Sequence, residues 1–487
     1  MRTPTAGGLV RSGAALVFSV VALVGLLRMP SFVHQLFDPD EAAVAAQGIS
    51  VRDGGTLYID ATDRKPPLVP FLYAGSFAMT GSTDLRPLHA LAALALVGAA
   101  LVVAAEARRR DGPEAGWWAA GLCAAGALAF FPVDAQAANF AHFAVLPGAA
   151  AIVACRRGRW WTALAGGIFL GVAVLCRQSW IIGVVPAVIG AALAGRARHA
   201  LATLAGLAAA IGAVAFVVPF GRFWHWTFSA NGGFVLAGAP LAKTAGAFAV
   251  TVGTFVALHV TLVAFIAVAA RTRIDDRLAW RSDLDLWLWV LTGCASVVAG
   301  FRFFGHYWLQ VLPPACLLAA PLAVRLQPRL RRLAMAGVAL PAVAALAVAW
   351  TPSTFRHLQS PRRLASYVDA HTRPRQPVMV WGTFPEVYWV ANRPPGGALV
   401  HDDFVTGKSG GRPTSPKTIA DATPGAYADL LRQLRRHPPQ LILDTSTANL
   451  RGYGAYPIRL FGSLRRFVDR NYERAATVDR VVIYRRR

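Results

Sequence analysis

The sequence predicts a polytopic α-helical membrane protein of about eleven spans, followed by a smaller α/β domain outside the membrane. Three observations carry this. Apolar runs long enough to cross a bilayer recur from residue 14 to residue 350, and a span needs about 20 apolar residues of helix. The loops between these runs alternate between Arg-rich and Arg-poor. After Trp350 the composition turns polar, and no later run is long enough to span.

Each predicted span follows from an apolar run: roughly 12–29, 87–106, 115–132, 137–155, 160–176, 179–195, 200–219, 247–269, 284–300, 308–324 and 333–350. Arg2 and Arg11 precede the first run as in a signal peptide. No small-x-small cleavage site precedes His34, so a retained signal-anchor is expected. One set of loops carries Arg108-Arg109-Arg110, Arg156-Arg157-Arg159, Arg196-Arg198, Arg271-Arg273-Arg277-Arg281 and Arg325-Arg329-Arg331-Arg332. The other set is 30–86, 133–136, Arg177-Gln178, 220–246 and 301–307. The positive-inside rule makes the first set cytoplasmic, with the N-terminus inside and the last domain outside.

Of the 487 residues, 55% are hydrophobic and 15% charged, with a mean hydropathy of +0.45. That is too apolar for an ordinary soluble enzyme. The formal charge of +24 is almost all Arg, with lysine only at positions 65, 243, 408 and 417. These basic residues are scattered between apolar segments, a poor pattern for binding nucleic acid. The five cysteines lie in or beside apolar runs without metal-site spacing, and read as small buried hydrophobes. Two domains are expected: 1–351, with a catalytic first outer loop at 30–86, and 352–487.

In the first outer loop, acids and bases otherwise sparse in this half converge: Asp38-Pro39-Asp40-Glu41, then Asp63-Arg64-Lys65-Pro66-Pro67. Asp38 suits a helix N-cap, Pro39 the first helical position and Glu41 a capping box. That helix runs to about Arg52 and stops at Gly54-Gly55, and its alanine-rich body favours lying along the membrane surface. Asp40 has no capping task and is the candidate general base. Pro66-Pro67 open a second helix ending near Gly81. A helix N-terminus is an anion site, and Arg64 and Lys65 beside it suit a phosphate.

The same outer face holds Arg302, His306 and Tyr307, and an isolated Arg177 between two apolar runs, costly unless paired or near headgroups. The run Phe223 to Phe228, with Asn231, is an interfacial aromatic cluster. In the last domain, 377–381, 441–443 and 481–484 read as strands. The ranges 427–436 and 460–472 read as helices, and 403–424 as a mobile loop. Glu386, Tyr388, Trp389, Asn392 and Arg393 lie on a helix surface, with acceptor contact as the alternative.

An Asp-Glu pair after the first span, followed by Pro-Pro preceded by acid and base, resembles the GT-C membrane glycosyltransferases. The nearest group is the protein O-mannosyltransferases and aminoarabinose transferases (glycosyltransferase family 39-like). The segment from Arg302 to Pro314 resembles their outer-face motif opening a late span. The resemblance covers about residues 12–325. It matches Asp40 to the family's catalytic acid, Asp63 to the second acid before Pro-Pro, and Lys65 to the basic residue that contacts the lipid phosphate. Arg64 stands where the aminoarabinose transferases carry Glu.

The resemblance implies transfer of a sugar from a polyprenyl-phosphate donor to a cell-envelope hydroxyl, in one inverting displacement outside a bacterial plasma membrane. Asp40, with Asp63 and Glu41, forms the expected catalytic set. Arg64, Lys65, Arg177, Arg302, His306 and Tyr307 form the substrate-binding set. No cofactor and no dedicated metal site are expected, a divalent ion at Asp40 and Asp63 being left open. The expected partners are the lipid-linked sugar, the envelope acceptor and the bilayer. The rival readings are a flippase for a lipid-linked saccharide, which needs ionisable groups deep in spans and paired broken helices, and a non-catalytic assembly protein.

Overall fold

The computed structural model describes residues 6–230, 241–274, 282–300, 302–356, 358–409 and 414–487. Arg2, Asn231, Arg277 and Arg281, singled out above, lie outside these. The chain forms two compact units. The first comprises 1–37, 89–213 and 247–355, and the second 38–88, 214–246 and 356–487. This division differs from the contiguous 1–351 and 352–487: residues 38–88 group with the C-terminal segment.

The first unit is helical, and a helix stands at each expected span, among them Ala6–Leu27, Arg86–Asp111, Phe140–Cys155, Trp160–Cys176, Leu312–Val324 and Pro328–Ala349. Among the described residues only Arg86–Asp111, Ala197–Phe216 and Pro328–Ala349 are long and apolar enough to cross a membrane. Ala242–Leu258 and Val260–Thr272 qualify together but meet at 93°. Three or four crossings by this measure therefore stand against the eleven expected. Phe140–Cys155 and Leu312–Val324 have 16 and 13 residues, and at 1.5 Å per residue each falls short of a 30 Å hydrocarbon layer.

Side-chain contacts within this unit sort the loops into two sets. Glu106, Asp283 and Asp285 are buried and gather Arg109, Arg110, Arg156 and Arg157. Arg110 donates to Asp283 at 2.8 Å, Arg157 lies 3.2 Å from Glu106, and Arg156 pairs with Asp285. Buried Arg28 donates to the carbonyls of Ala135 and Gln136, both at 3.0 Å, and its guanidinium lies 3.3 Å from His89 Nδ1. Asp134 holds His306. Arg-rich loops thus meet Arg-rich loops, and Arg-poor meet Arg-poor.

The second unit is built on a four-stranded sheet of β1 (Val378–Trp381), β2 (Leu441–Asp444), β3 (Tyr472–Val478) and β4 (Val481–Arg486) in the order β1-β2-β4-β3. β1 and β2 run parallel, with Met379 opposite Ile442; the other pairs are antiparallel, with Ile442 opposite Tyr484. β1 and β2 are buried throughout, as their unbroken apolar runs require. The helix expected over 460–472 is Gly462–Asn471, and Tyr472 instead opens β3. Its alternation is weak because β3 is an edge strand, exposed along most of its length.

The helices Pro39–Arg52 and Leu68–Thr80 have the ends read from sequence, with Gly81 in the left-handed conformation at the second C-cap. Pro39–Arg52 does not lie open along a surface. Residues 41–50 are all buried, and Ala43 and Ala46 join the core of β1, β2 and β4 with Val380, Leu443 and Ile483. Its alanines are small because backbones approach closely there. A Cβ on Gly48 would stand 2.8 Å from Tyr73 Cβ and 3.1 Å from Ala74 N. Glu386 and Tyr388 are likewise core residues, not surface ones. Glu386 pairs with Arg451, and the Tyr388 hydroxyl accepts the Val380 N–H at 2.9 Å.

Candidate active site

Helix capping builds the first part of the site. Asp38 Oδ1 accepts the Asp40 N–H at 2.9 Å, and Glu41 Oε2 accepts the Asp38 N–H at 3.1 Å. Glu41 is fully buried in this box. Asp40 is not consumed by it. Its Oδ2 accepts from Lys65 Nζ at 3.0 Å, with side chains 47% and 30% exposed respectively. Residues 25 positions apart thus meet at the start of one helix.

Lys65 is held by its backbone. Tyr58 is fully buried, and its hydroxyl donates to the Lys65 carbonyl at 2.8 Å. Burial pushes the Tyr58 hydroxyl pKa well up, so it stays a donor. The aromatic run 223–228 supports this tyrosine. Phe223 and Trp226 are buried, the Phe223 ring is 6.2 Å from Tyr58, and Thr227 Oγ1 lies 3.4 Å from its hydroxyl.

Asp63 is placed by a main-chain bridge. Thr62 N–H donates to the Ala398 carbonyl at 2.7 Å, and Val400 N–H to the Thr62 carbonyl at 3.2 Å. This parallel pairing sets Asp63 beside His401, whose Nε2 is 3.6 Å from Asp63 Oδ1. The Arg64 N–H donates to the same oxygen at 2.6 Å. Burial alone would raise the Asp63 pKa. Contact with His401 and the charges of His401, Lys65 and Arg64 outweigh it and hold the carboxyl well below the usual range. The Arg64 guanidinium lies over the Phe404 ring at 4.7 Å.

The remaining predicted residues belong to the first unit. The buried Arg177 guanidinium stacks on the Tyr307 ring at 3.7 Å, and its Nε donates to Ser179 Oγ at 2.9 Å. His306 is buried, its Nδ1 2.6 Å from Asp134 Oδ1, which also accepts the His306 N–H at 3.1 Å. The short turn needs glycine beside it, since a Cβ on Gly305 would stand 2.7 Å from Asp134 Oδ2. Arg302 is half-buried.

Residues 64–224 match the family model described as dolichyl-phosphate-mannose-protein mannosyltransferase. No curated protein matches the sequence. Among solved structures, the chain resembles ArnT from Cupriavidus metallidurans bound to undecaprenyl phosphate. The TM-score is 0.60 at 14% identity, over 99% of this chain and 98% of that one. It also resembles the Archaeoglobus fulgidus oligosaccharyltransferase AglB in complex with an inhibitory peptide and a dolichol-phosphate. There the TM-score is 0.54 at 13% identity, over 98% of this chain and 74% of that one. The chain shares the fold of ArnT and AglB.

Within this fold, Asp40, Glu41, Asp63, Arg64 and Lys65 form one cluster in the second unit. Arg177 with Tyr307, and His306 with Asp134, form contacts in the first. His401, Asp403 and Asp134 carry no motif signal. The first two sit in the stretch around 403–424, whose Thr, Gly, Ser and Pro content resembles a mobile loop. In the structure 403–406 is helix and Phe404 to Gly407 are buried. Asp134 lies in the four-residue helix Pro132–Ala135, and only its pairing with His306 points to it. Among the described residues, no three or more His, Cys, Asp or Glu side chains converge in a metal-site arrangement. Asp40 and Asp63 instead have different basic partners, Lys65 and His401.

Proposed function

We propose that this chain is an integral membrane glycosyltransferase that moves a sugar from a polyprenyl-phosphate donor to a cell-envelope hydroxyl on the outer face. The observation that carries the reading is the Lys65–Asp40 pair: a cation suited to phosphate and a carboxylate suited to a hydroxyl proton, together and half-exposed at a helix start. An exposed ion pair contributes only about 0–1 kcal/mol. An arriving phosphate therefore competes for Lys65 at little cost and frees the Asp40 carboxylate.

The step is one displacement. The acceptor oxygen forms a bond to the anomeric carbon as the bond from that carbon to the phosphate oxygen breaks. Asp40 takes the acceptor proton, and polyprenyl phosphate leaves with the bond electrons. Lys65, assisted by Arg64, offsets the charge that develops there, where fixed cations lower a barrier most. The configuration at the sugar inverts. The family match to a mannosyltransferase and the fold shared with ArnT and AglB support the donor class.

The outward orientation is supported by Arg content, since the loops that meet around Glu106 and Asp283 are the Arg-rich ones. On this reading the N-terminus is cytoplasmic and the C-terminal segment lies outside a bacterial plasma membrane. The flippase reading needs paired broken helices, and the described residues contain one bent pair.

The test is transfer of labelled sugar from synthetic polyprenyl-phosphate donors to envelope extracts by membranes containing the chain, with glycan mass spectrometry of a deletion strain. Turnover by wild type and none by Asp40→Asn is expected. Equal turnover by both would refute the mechanism.

A further inference from the structure

One imidazole stands between two carboxylates in the second unit, the buried Asp63 and the partly buried Asp403. His401 Nε2 is 3.6 Å from Asp63 Oδ1, and its Nδ1 is 3.7 Å from Asp403 Oδ2. Asp403 is fixed from its other side. Thr383 Oγ1 donates to its Oδ1 at 2.6 Å and the Tyr453 hydroxyl at 2.8 Å, with Lys408 Nζ 3.8 Å away. His401 Nδ1 thus faces, without a hydrogen bond, a carboxylate that is itself held to Thr383 on the turn after β1, while its opposite nitrogen faces Asp63. Two further restraints fix the ring. It stacks on Phe404 at 4.7 Å and 22°, and the backbone bridge from Thr62 to Leu399 sets its position along the chain.

Phe404 also carries the Arg64 guanidinium at 4.7 Å and the Trp226 ring at 5.2 Å. The two residues before Lys65 are thereby referred to one place: Asp63 to His401, and Arg64 to the ring on which His401 stacks. The charged and titratable groups facing Asp63 are His401, Arg64, Lys65 and Tyr58. Those facing His401 are Asp63 and Asp403. A carboxylate held this way can orient the segment it belongs to, because Asp63 also accepts the Arg64 N–H.

We propose that His401 is a positioning residue for the lipid-phosphate site: it anchors Asp63 and, through Asp63 and Phe404, sets where Arg64 and Lys65 stand. This rests on the reading of Lys65 as the phosphate contact. The C-terminal segment is then part of the donor site's construction and not only an appended domain.

The test uses the purified full chain in nanodiscs and undecaprenyl phosphate as the probe, with Lys65→Ala as the reference. His401→Ala should weaken binding about tenfold, as expected for coupled neighbours. His401→Gln, which keeps a donor at similar reach, should restore most of it. His401→Ala combined with Asp63→Asn should be no weaker than either alone. In transfer assays the loss should appear in the donor KM, with kcat changed less, a split that general destabilisation would not produce. Wild-type affinity in His401→Ala while Lys65→Ala loses binding would overturn the positioning role and leave the phosphate reading standing. Wild-type affinity in both would remove the phosphate reading and the proposal with it. Should His401→Ala not accumulate, Asp403→Asn removes the charge that the same ring faces, and unchanged binding in that variant would equally overturn the role.

Discussion

Lys65 Nζ donates to Asp40 Oδ2 across 3.0 Å, joining the residue before a Pro-Pro helix start to the first turn of the preceding helix. The two residues have opposite tasks in the proposed reaction, so substitutions at each should fail differently.

Asp40→Asn keeps the side-chain size and the Asp38 cap and removes the base. Transfer should fall by about 10²–10⁴, with donor binding and protein level near normal. Glu41→Gln should instead cost about 1 kcal/mol of stability through the capping box, with a milder effect on turnover. A sugar-transfer assay with a melting curve for each variant separates the two. A dead Glu41→Gln beside an active Asp40→Asn would reverse their roles.

Lys65→Ala should raise the donor KM by roughly 10–100-fold, the worth of a charge-assisted hydrogen bond to phosphate. Lys65→Arg should recover only part of this, because a planar guanidinium does not reproduce a compact ammonium. Steady-state kinetics with varied donor reads this directly, and an unchanged KM in Lys65→Ala would move the phosphate site elsewhere.

Asp63 predicts a pH dependence of stability. Its folded pKa lies below its unfolded one: burial raises it, but His401, Lys65 and Arg64 lower it more. The stabilisation is then fully present above the unfolded carboxylate pKa of about 4 and is lost as pH falls below it. Melting temperature should fall progressively as pH drops below about 4 in wild type, and less steeply in Asp63→Asn. Parallel curves would show that Asp63 is not the group responsible.

Gly48 sits where Pro39–Arg52 meets the Tyr73 turn of Leu68–Thr80. Gly48→Val should destabilise by about 1–3 kcal/mol through overpacking and displace Asp40 relative to Lys65. Chemical denaturation of the purified chain would reveal the cost, and wild-type stability would show that the two helices can part freely.

A reporter active only outside the membrane should be active when fused after Arg487 and silent near Arg110 or Arg157. The reverse pattern would put the Asp40 loop in the cytoplasm, where nucleotide sugars are available, and would remove the reason for a lipid-linked donor.

Much of this molecule is legible in one dimension because its determinants are local. The capping box at Asp38, the stop after Arg52, the Pro-Pro start and the Gly81 cap depend on residues within a few positions of each other, and the helices end where those residues place them. The buried strands Val378–Trp381 and Leu441–Asp444 announce themselves as continuous apolar runs. Asp40 and Lys65 stood out as charges in an apolar half of the chain, although their pairing required the two helix starts to meet.

What tertiary structure alone decided is longer in range. An alanine-rich helix carries little amphipathic signal, so only packing reveals that its small faces serve a core of β1, β2 and β4 and not a membrane surface. A backbone bridge between Thr62 and Leu399 has no sequence signature, because any residue supplies an N–H and a carbonyl. That bridge brings His401, 338 positions along the chain, to Asp63. Residue type and spacing could name the acids and bases of this site. That Asp63 faces His401 was decided by main-chain hydrogen bonds that side-chain chemistry does not encode.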